Sequence, residues 1–210
     1  MQAEEAIRAI NTNGLPILLK WIASKDSILR GKVIALSRKQ TLVKIPCYTD
    51  EEQRIIARVG FGVLGSNAAP AVPALIDLLN NDGDSDIQGE VVMALGRIGP
   101  AAENAVPAII QCLNGTNHFA ALFAPNVLAT IHKKPELVIP ALIQHLEDSK
   151  HKPLHIRRTI EAIGDFGEQA TSAVPILLTF LNDQDPSTRS LATNALKQID
   201  PEAATKTGVK

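Results

Sequence analysis

The sequence predicts an all-α protein built from stacked repeats of about 34 residues. The stretch Gly99–Pro107 reads as a tight turn that runs into an amphipathic helix, and the same pattern recurs at Gly65–Pro73, at Gly167–Pro175 and, with a substitution, at residues 132–140. The prolines at positions 73, 107, 140 and 175 are therefore 34, 33 and 35 residues apart. A fixed period in this range is typical of stacked repeats, because one unit cannot bury its own apolar face.

Composition excludes several classes of protein. The 210 residues carry a net charge of −1, with +4 on residues 1–60 and −5 on residues 61–210, so general polyanion binding is not indicated. No apolar run approaches the roughly 18–20 residues of a membrane span. Two cysteines form neither a disulfide framework nor a zinc site, and no signal peptide is visible. We expect the cytoplasm by default, although Met1 lies within a helical pattern and a leader could have been removed.

The N-terminal part, residues 1–64, is irregular. Helical spacing predicts helices over residues 3–11, 15–24 and 27–39, the last with Leu29, Val33, Ile34 and Leu36 inward. Residues 40–49 then interrupt the rhythm with a β-prone segment that contains Pro46. Thr49 and Glu52 form a capping-box pattern that predicts the start of a helix over 50–64, with Ile55, Ile56, Val59, Phe61 and Leu64 as its apolar residues.

Regular helix pairs follow over residues 65–200. First helices are predicted near 70–80, 104–114, 136–147 and 172–182, and second helices near 85–98, 117–131, 153–166 and 186–199. Positions two, three and six after each repeat proline are aliphatic, and we expect positions three and six to form the core stripe. Gly65, Gly99 and Gly167 are predicted to take a left-handed cap conformation, and Asp185 is predicted to cap the helix that starts at Pro186.

These residues resemble HEAT repeats. The resemblance rests on Gly99–Pro107, on the ALGRIG of residues 94–99 and on the loop NDQDPSTR of residues 182–189. It implies a right-handed α-α superhelix, a solenoid of stacked antiparallel helix pairs that forms a single domain over residues 1–210, with the second helices on the concave side. It also implies a non-enzymatic protein-binding scaffold more often than an enzyme. The alternatives are an enzyme or ligand-handling protein similar to the phycobilisome (bilin) lyase-like HEAT branch or to HEAT-like DNA-repair glycosylases.

Two departures from the repeat concern the third pair of helices. His132 stands where the turn glycine should be. Pro125 lies inside the second helix, where it removes a backbone hydrogen bond and predicts a kink.

Few residues suggest catalytic or metal chemistry. His151 and His155 have the i, i+4 spacing of a helical metal site, but Pro153 lies between them, and a solvated loop is the favoured reading. His145 and Cys112 occupy a recurring packing position, and Cys112 is expected to be inert. No catalytic residue, metal ligand or cofactor is predicted.

We therefore expect a protein partner, and we do not expect nucleic acid because no row of residues across the second helices is basic throughout. The candidate contacts combine the tyrosine and arginines near the irregular segment with polar residues in the rows on the second helices: Tyr48, Arg54, Arg58, Arg97, Asn126, Glu161 and Asp165. Tyrosine and arginine are enriched at binding hot spots. The alternative is that residues 40–58 only cover the core.

Overall fold

The computed structural model describes residues 11–25, 27–39, 48–81, 83–148 and 152–202, and within them it contains helices and no β-strand. Eleven α-helices are described: α1 (Leu15–Ile22), α2 (Ile28–Lys39), α3 (Asp50–Leu64), α4 (Val72–Asn81), α5 (Ser85–Ile98), α6 (Val106–Leu113), α7 (His118–Ile131), α8 (Pro135–Asp148), α9 (Pro153–Gly164), α10 (Val174–Thr179) and α11 (Pro186–Ile199). Short 3-10 helices cover Asn11–Gly14, Gly65–Ala71, Gly99–Ala105, Gly167–Ala173 and Phe180–Asn182. The predicted helices over 15–39 and 50–199 are confirmed to within a few residues.

The chain divides into two compact units, Met1–Ile98 and Gly99–Lys210. In the first unit α1 packs against α3, α3 against α5, and α4 against α5. Its fully buried side chains include Ile22, Phe61, Leu75, Ile87 and Leu95. Burial of each such aliphatic or aromatic side chain contributes about 1.5–3 kcal/mol to stability. The core of this unit lies where α1, α3, α4 and α5 pack together.

In the first unit, the predicted inward face of α2 is wrong for Val33, and α3 buries only part of its apolar set. The side chains of Leu29 and Leu36 lie outside the described residues. Val33 on α2 is 61% exposed, whereas its neighbour Ile34 is buried. On α3, Ile55 and Val59 are exposed, and the buried face instead follows Gln53, Ala57, Gly60, Phe61 and Leu64. The apolar pattern of α3 covers more than one side of the helix, and packing against α1 and α5 selects the side that carries Gly60 and Phe61.

The second unit contains three helix pairs, α6–α7, α8–α9 and α10–α11. The second helices of these pairs pack against each other in sequence, α7 against α9 and α9 against α11. The last contact is close because α9 ends in Gly164: a methyl group there would lie 3.1 Å from Cβ of Ala195. The small residue at the end of α9 therefore permits the close approach of α11.

The core stripe of the first helices lies at positions two and six after the repeat proline. These positions are four residues apart and share one helix face, and all but the last are buried: Leu75 and Leu79, Ile109 and Leu113, Leu142 and Leu146, and Leu177 with the half-buried Leu181. Position three is only half-buried in every repeat: Ile76, Ile110, Ile143 and Leu178. The expectation that positions three and six form the stripe is therefore wrong by one residue.

The turns between helices follow the predicted chemistry. Gly65, Gly99 and Gly167 have positive φ angles of 52°, 74° and 54°. His132, in the place of a turn glycine, is also left-handed, with φ 51° and ψ 45°. Asp185 accepts the backbone N–H of Ser187 and caps α11 as predicted.

Pro125 does not end α7, which extends from His118 to Ile131. The side chain of Asn117 accepts the N–H groups of Phe119 and Ala120 and so caps the start of this helix. Thr49 and Glu52 form the predicted capping box at the start of α3, with Thr49 Oγ1 accepting from the Glu52 N–H and Glu52 Oε2 accepting from the Thr49 N–H.

One described stretch, Asp50–Asn81, passes the length and composition test for a membrane-crossing helix. Gly65 and the 3-10 helix Gly65–Ala71 divide this stretch into α3 and α4, which have 15 and 10 residues. Each is shorter than the roughly 20 residues that a span requires. Core helices pass the same test, so the stretch is weak support for a membrane span.

Several predictions fall outside the described residues. These are the helix over residues 3–11 except for its last residue, residues 40–47 of the segment predicted over 40–49, and His151. The single-domain organisation of residues 1–210 also stays a prediction.

Candidate partner-binding surface

Tyr48 and Arg54 lie at the start of α3 in the first unit. Tyr48 is 45% exposed, and its ring centroid lies 6.4 Å from that of Trp21 on α1. Arg54 is only 3% exposed; its Nη1 donates to the carbonyl oxygen of Ser24 at 2.7 Å, and its Nη2 lies 3.8 Å from Oδ2 of Asp86. Tyr48 is thus available at the surface, whereas Arg54 ties α3 to the turn after α1 and to the start of α5.

Arg58 lies one turn further along α3 and pairs with Glu90 on α5. Their Nε and Oε2 atoms are 2.8 Å apart, and Nη1 of Arg58 lies 3.5 Å from Sδ of Met93. Burial raises the pKa of Glu90, and the nearby charges of Arg58, Arg54 and Arg97 oppose that rise without cancelling it. The structure therefore gathers the three predicted arginines of this unit around one half-buried carboxylate.

Arg97 is exposed on α5, but its aliphatic stem lies against α3. A methyl group at Gly62 would be 3.1 Å from Cδ of Arg97, so this stem fills the space that the glycine leaves. Long basic side chains commonly bury their stems in this way while the charged end stays in water.

In the second unit, a cluster of side chains joins α7 to α9. Oδ1 of Asn126 accepts a hydrogen bond from Nη1 of Arg158 at 3.1 Å, and the guanidinium of Arg158 lies 4.6 Å from the ring centroid of Phe123. Phe123 also meets Phe119 edge-on, with centroids 4.8 Å apart, and Phe119 is 41% exposed. This arrangement presents an aromatic and guanidinium surface on helices that are fixed by the core beneath them.

An open groove of about 760 Å³ runs between α9 and α11 beside this cluster. Its walls combine two leucines, two arginines, a glutamate, two serines and a proline: Leu154, Arg157, Arg158, Glu161, Pro186, Ser187, Ser190 and Leu191. Nη1 of Arg157 lies 3.9 Å from Oδ2 of Asp185, across the groove. The predicted residue Glu161 lines the groove, and the predicted residue Asp165 is exposed directly after the end of α9.

Sequence reasoning missed Phe119, Phe123 and Arg158. They belong to the same face of the second helices as Asn126 and Glu161, but one or two turns nearer the helix starts. Two of the five phenylalanines of the chain at i, i+4 spacing were the signal that could have identified them.

The histidines and the cysteine differ in how well they match expectation. His155 is 2% exposed, so the prediction of a solvated loop is wrong for this residue. His145 is buried at the expected packing position. Burial raises the pKa of the half-buried Cys112 thiol to about 11, as expected for an unreactive cysteine. In the described part of the chain, no three histidine, cysteine, aspartate or glutamate side chains are arranged to share a metal ion.

Comparison with known proteins identifies the repeat. A search of curated proteins found no significant match. A family model for HEAT repeats matches residues 72–155 and 139–207, which together span well over half of the 210 residues. The match includes every helix pair of the second unit and begins at the first residue of α4. With its all-α architecture and its recurring helix pairs, the chain belongs to the HEAT-repeat family.

Proposed function

We propose that the chain is a non-enzymatic protein-binding module and that its partner contacts the second-helix surface of the second unit. We define this surface by Phe119, Phe123 and Asn126 on α7, Leu154, Arg158 and Glu161 on α9, and Leu191 on α11. HEAT repeats generally mediate protein interactions. In such repeats the second helices are expected to line the concave side, where stacked elements offer a continuous wall.

The observation that supports the proposal is the exposed aromatic and arginine cluster beside the groove. Phe119 and Leu154 are among the few large apolar side chains of this unit that are exposed. Arg158 is held by Asn126 and by the ring of Phe123, so it would lose little conformational entropy when a partner binds. Aromatic and arginine side chains in such settings dominate the binding energy of protein interfaces.

The test uses a matched pair of double variants. Leu154→Ser with Glu161→Arg changes the groove on α9. Leu137→Ser with Glu136→Arg makes the same chemical changes on α8, a first helix, where both residues are also exposed. Proteins captured from cell extract by the wild type would be identified by mass spectrometry, and the leading one would be purified and titrated against all three forms.

We expect the α9 variant to bind the purified partner at least tenfold more weakly, while the α8 variant binds like the wild type. Circular dichroism and thermal melting establish that both variants are folded. Equal binding by all three forms would refute the placement of the partner site on this surface. Failure to capture any protein that binds saturably would count against the protein-binding function itself.

No contact among the described residues favours the lyase-like or the glycosylase-like alternative. The predicted residues Tyr48, Arg58 and Arg97 stay predictions as partner contacts. Arg54 would have to leave its bond to Ser24 to reach a partner.

A further inference from the structure

Three histidines from three helices meet near the start of α7 in the second unit, where His145 and His155 are buried and His118 is exposed. His118 is the first residue of α7, His145 lies on α8, and His155 lies on α9. The ring centroids of His118 and His155 are 4.8 Å apart, and those of His145 and His155 are 5.6 Å apart. His155 is therefore the central member of the cluster, with an imidazole on either side.

The hydrogen bonding of His155 suits a neutral imidazole at this position. Nε2 of His155 lies 3.3 Å from Nδ1 of His118, so one of these two nitrogens must donate and the other accept. Nδ1 of His155 is buried and has no partner in the described part of the chain. If Nε2 of His155 donates, Nδ1 carries no proton and only a lone pair is left unpaired. Protonation of the ring would add a buried N–H of a charged group with no acceptor, which is the costlier arrangement.

The surrounding charges also oppose protonation of His155. Four neighbours act against a positive charge on this ring: the histidines His145 and His118, Lys152, which precedes α9, and Arg158, one turn along α9. Asp148, on α8, acts on His145, where it opposes the lowering of the pKa by burial and by Lys152. Asp185, at the start of α11, faces Arg157. No carboxylate from any of these helices is therefore placed to compensate a proton on His155.

We propose that His118, His145 and His155 form an acid-sensitive latch, which holds the start of α7 against α8 and α9 while the central His155 ring is neutral and opens when that ring is protonated. His145 also contacts the preceding helix pair, because its Nδ1 donates to Oδ1 of Asn114, the residue directly after α6. The latch thus joins the α6–α7 turn to the next helix pair. Opening it would loosen α7 and α9 together.

The direction of the pH effect follows from the pKa values. Burial, with the neighbouring histidines and cations, lowers the pKa of His155 from 6.5 to about 4, and burial also lowers that of His145. Between pH 6.5 and about pH 4, the unfolded chain binds more protons at His155 than the folded chain does. Stability is therefore lost as the pH falls below about 6.5. The loss levels off near pH 4, where the folded form takes up the proton as well.

The decisive experiment is urea unfolding of the full chain between pH 7.5 and pH 5.0, with a chelator present to exclude metal binding. From pH 7.5 to pH 5.0 the unfolding constant of the wild type should rise by roughly 30-fold through His155 alone. His155→Gln should lose most of this dependence. His132→Asn is the matched control, because it removes a histidine of the same unit outside the cluster and should keep the dependence in full.

Nuclear magnetic resonance of the histidine rings keeps the proposal testable if His155→Gln does not fold. In the wild type, the His155 ring signal, which should shift in His118→Gln while the His118 signal disappears, should not titrate above about pH 5. Titration of the His155 ring near pH 6.5 would overturn the latch proposal. The proposal would also fail if the change in the unfolding constant between pH 7.5 and pH 5.0 differed by less than threefold between wild type and His155→Gln.

A consequence for binding rests on the proposed function. Because α7 and α9 also carry Phe123 and Arg158 of the proposed surface, acid should weaken the binding of the partner as the latch opens. The unfolding and resonance measurements need no partner, so they decide the latch even if the proposed surface is wrong.

Discussion

The imidazole of His132 stacks on the ring of Phe166, with centroids 4.8 Å apart and planes inclined by 12°. His132 holds this position in a left-handed backbone conformation with a positive φ of 51°, at a turn where glycine supplies the positive φ in three other repeats. A left-handed non-glycine residue costs about 1 kcal/mol, and a stacked ring pair returns about 0.5–1.5 kcal/mol. The stack therefore offsets the strain at this turn.

Substitution of His132 separates these two effects. His132→Ala keeps the backbone strain and loses the stack, so we expect it to lower the free energy of unfolding by about 1 kcal/mol. His132→Gly loses the stack but relieves the strain, and should stay within about 0.5 kcal/mol of the wild type. Urea unfolding at pH 7.5 measures both, and an alanine variant as stable as the glycine variant would show that the turn is not strained.

This turn also shows what the sequence could and could not establish. The missing glycine at position 132 is visible in the repeat alignment, and so is the need for a turn. The stacking partner, Phe166, ends the next repeat, and only the packing of the two pairs brings the rings together. Likewise, the period predicts the helices, but the choice between Ile55 and Gly60 as the buried side of α3 depends on its neighbours. His118, His145 and His155 are 27 and 10 residues apart in sequence, and no local spacing marks their contact.

The core stripe of the first helices gives a second prediction. Leu79 is buried at position six, and Leu79→Ala should cost about 2–5 kcal/mol by opening a cavity in the first unit. Ile76 at position three is only half-buried, so Ile76→Ala should cost clearly less. The free energies of unfolding of the two variants would be compared under the same conditions. Equal losses would mean that the buried face of α4 is wider than the structure indicates.

Cys112 should react slowly with thiol reagents. Burial raises its pKa to about 11, so little thiolate is present at pH 8, and its Sγ–H donates to the carbonyl oxygen of Ala108 at 3.4 Å. In a Cys47→Ser background, we expect alkylation of the folded protein to be at least tenfold slower than in 8 M urea, as followed by mass spectrometry. Comparable rates would indicate that α6 opens readily.

The last prediction concerns the pair formed by Arg58 and Glu90. Both side chains are less than a quarter exposed, at 21% and 14%, and neither Nε of Arg58 nor Oε2 of Glu90 has another hydrogen-bond partner among the described residues. Arg58→Ala would leave a half-buried carboxylate without its closest cation. We expect a loss of about 2–3 kcal/mol at pH 7, somewhat below the cost of breaking a fully buried pair.

Removing the carboxylate charge should reverse much of this loss. The Arg58→Ala/Glu90→Gln double variant should therefore be more stable than Arg58→Ala alone, and the two single variants with the double complete a thermodynamic cycle. The pH dependence provides an independent check. Without Arg58 the pKa of Glu90 rises further, so the folded form holds a proton that the unfolded form releases, and Arg58→Ala should regain stability relative to the wild type as the pH falls from 7 to 5. If the cycle shows additive effects and the pH dependence of Arg58→Ala matches that of the wild type, the charges do not interact, and Arg58 is then free to serve the partner contact that the sequence predicts.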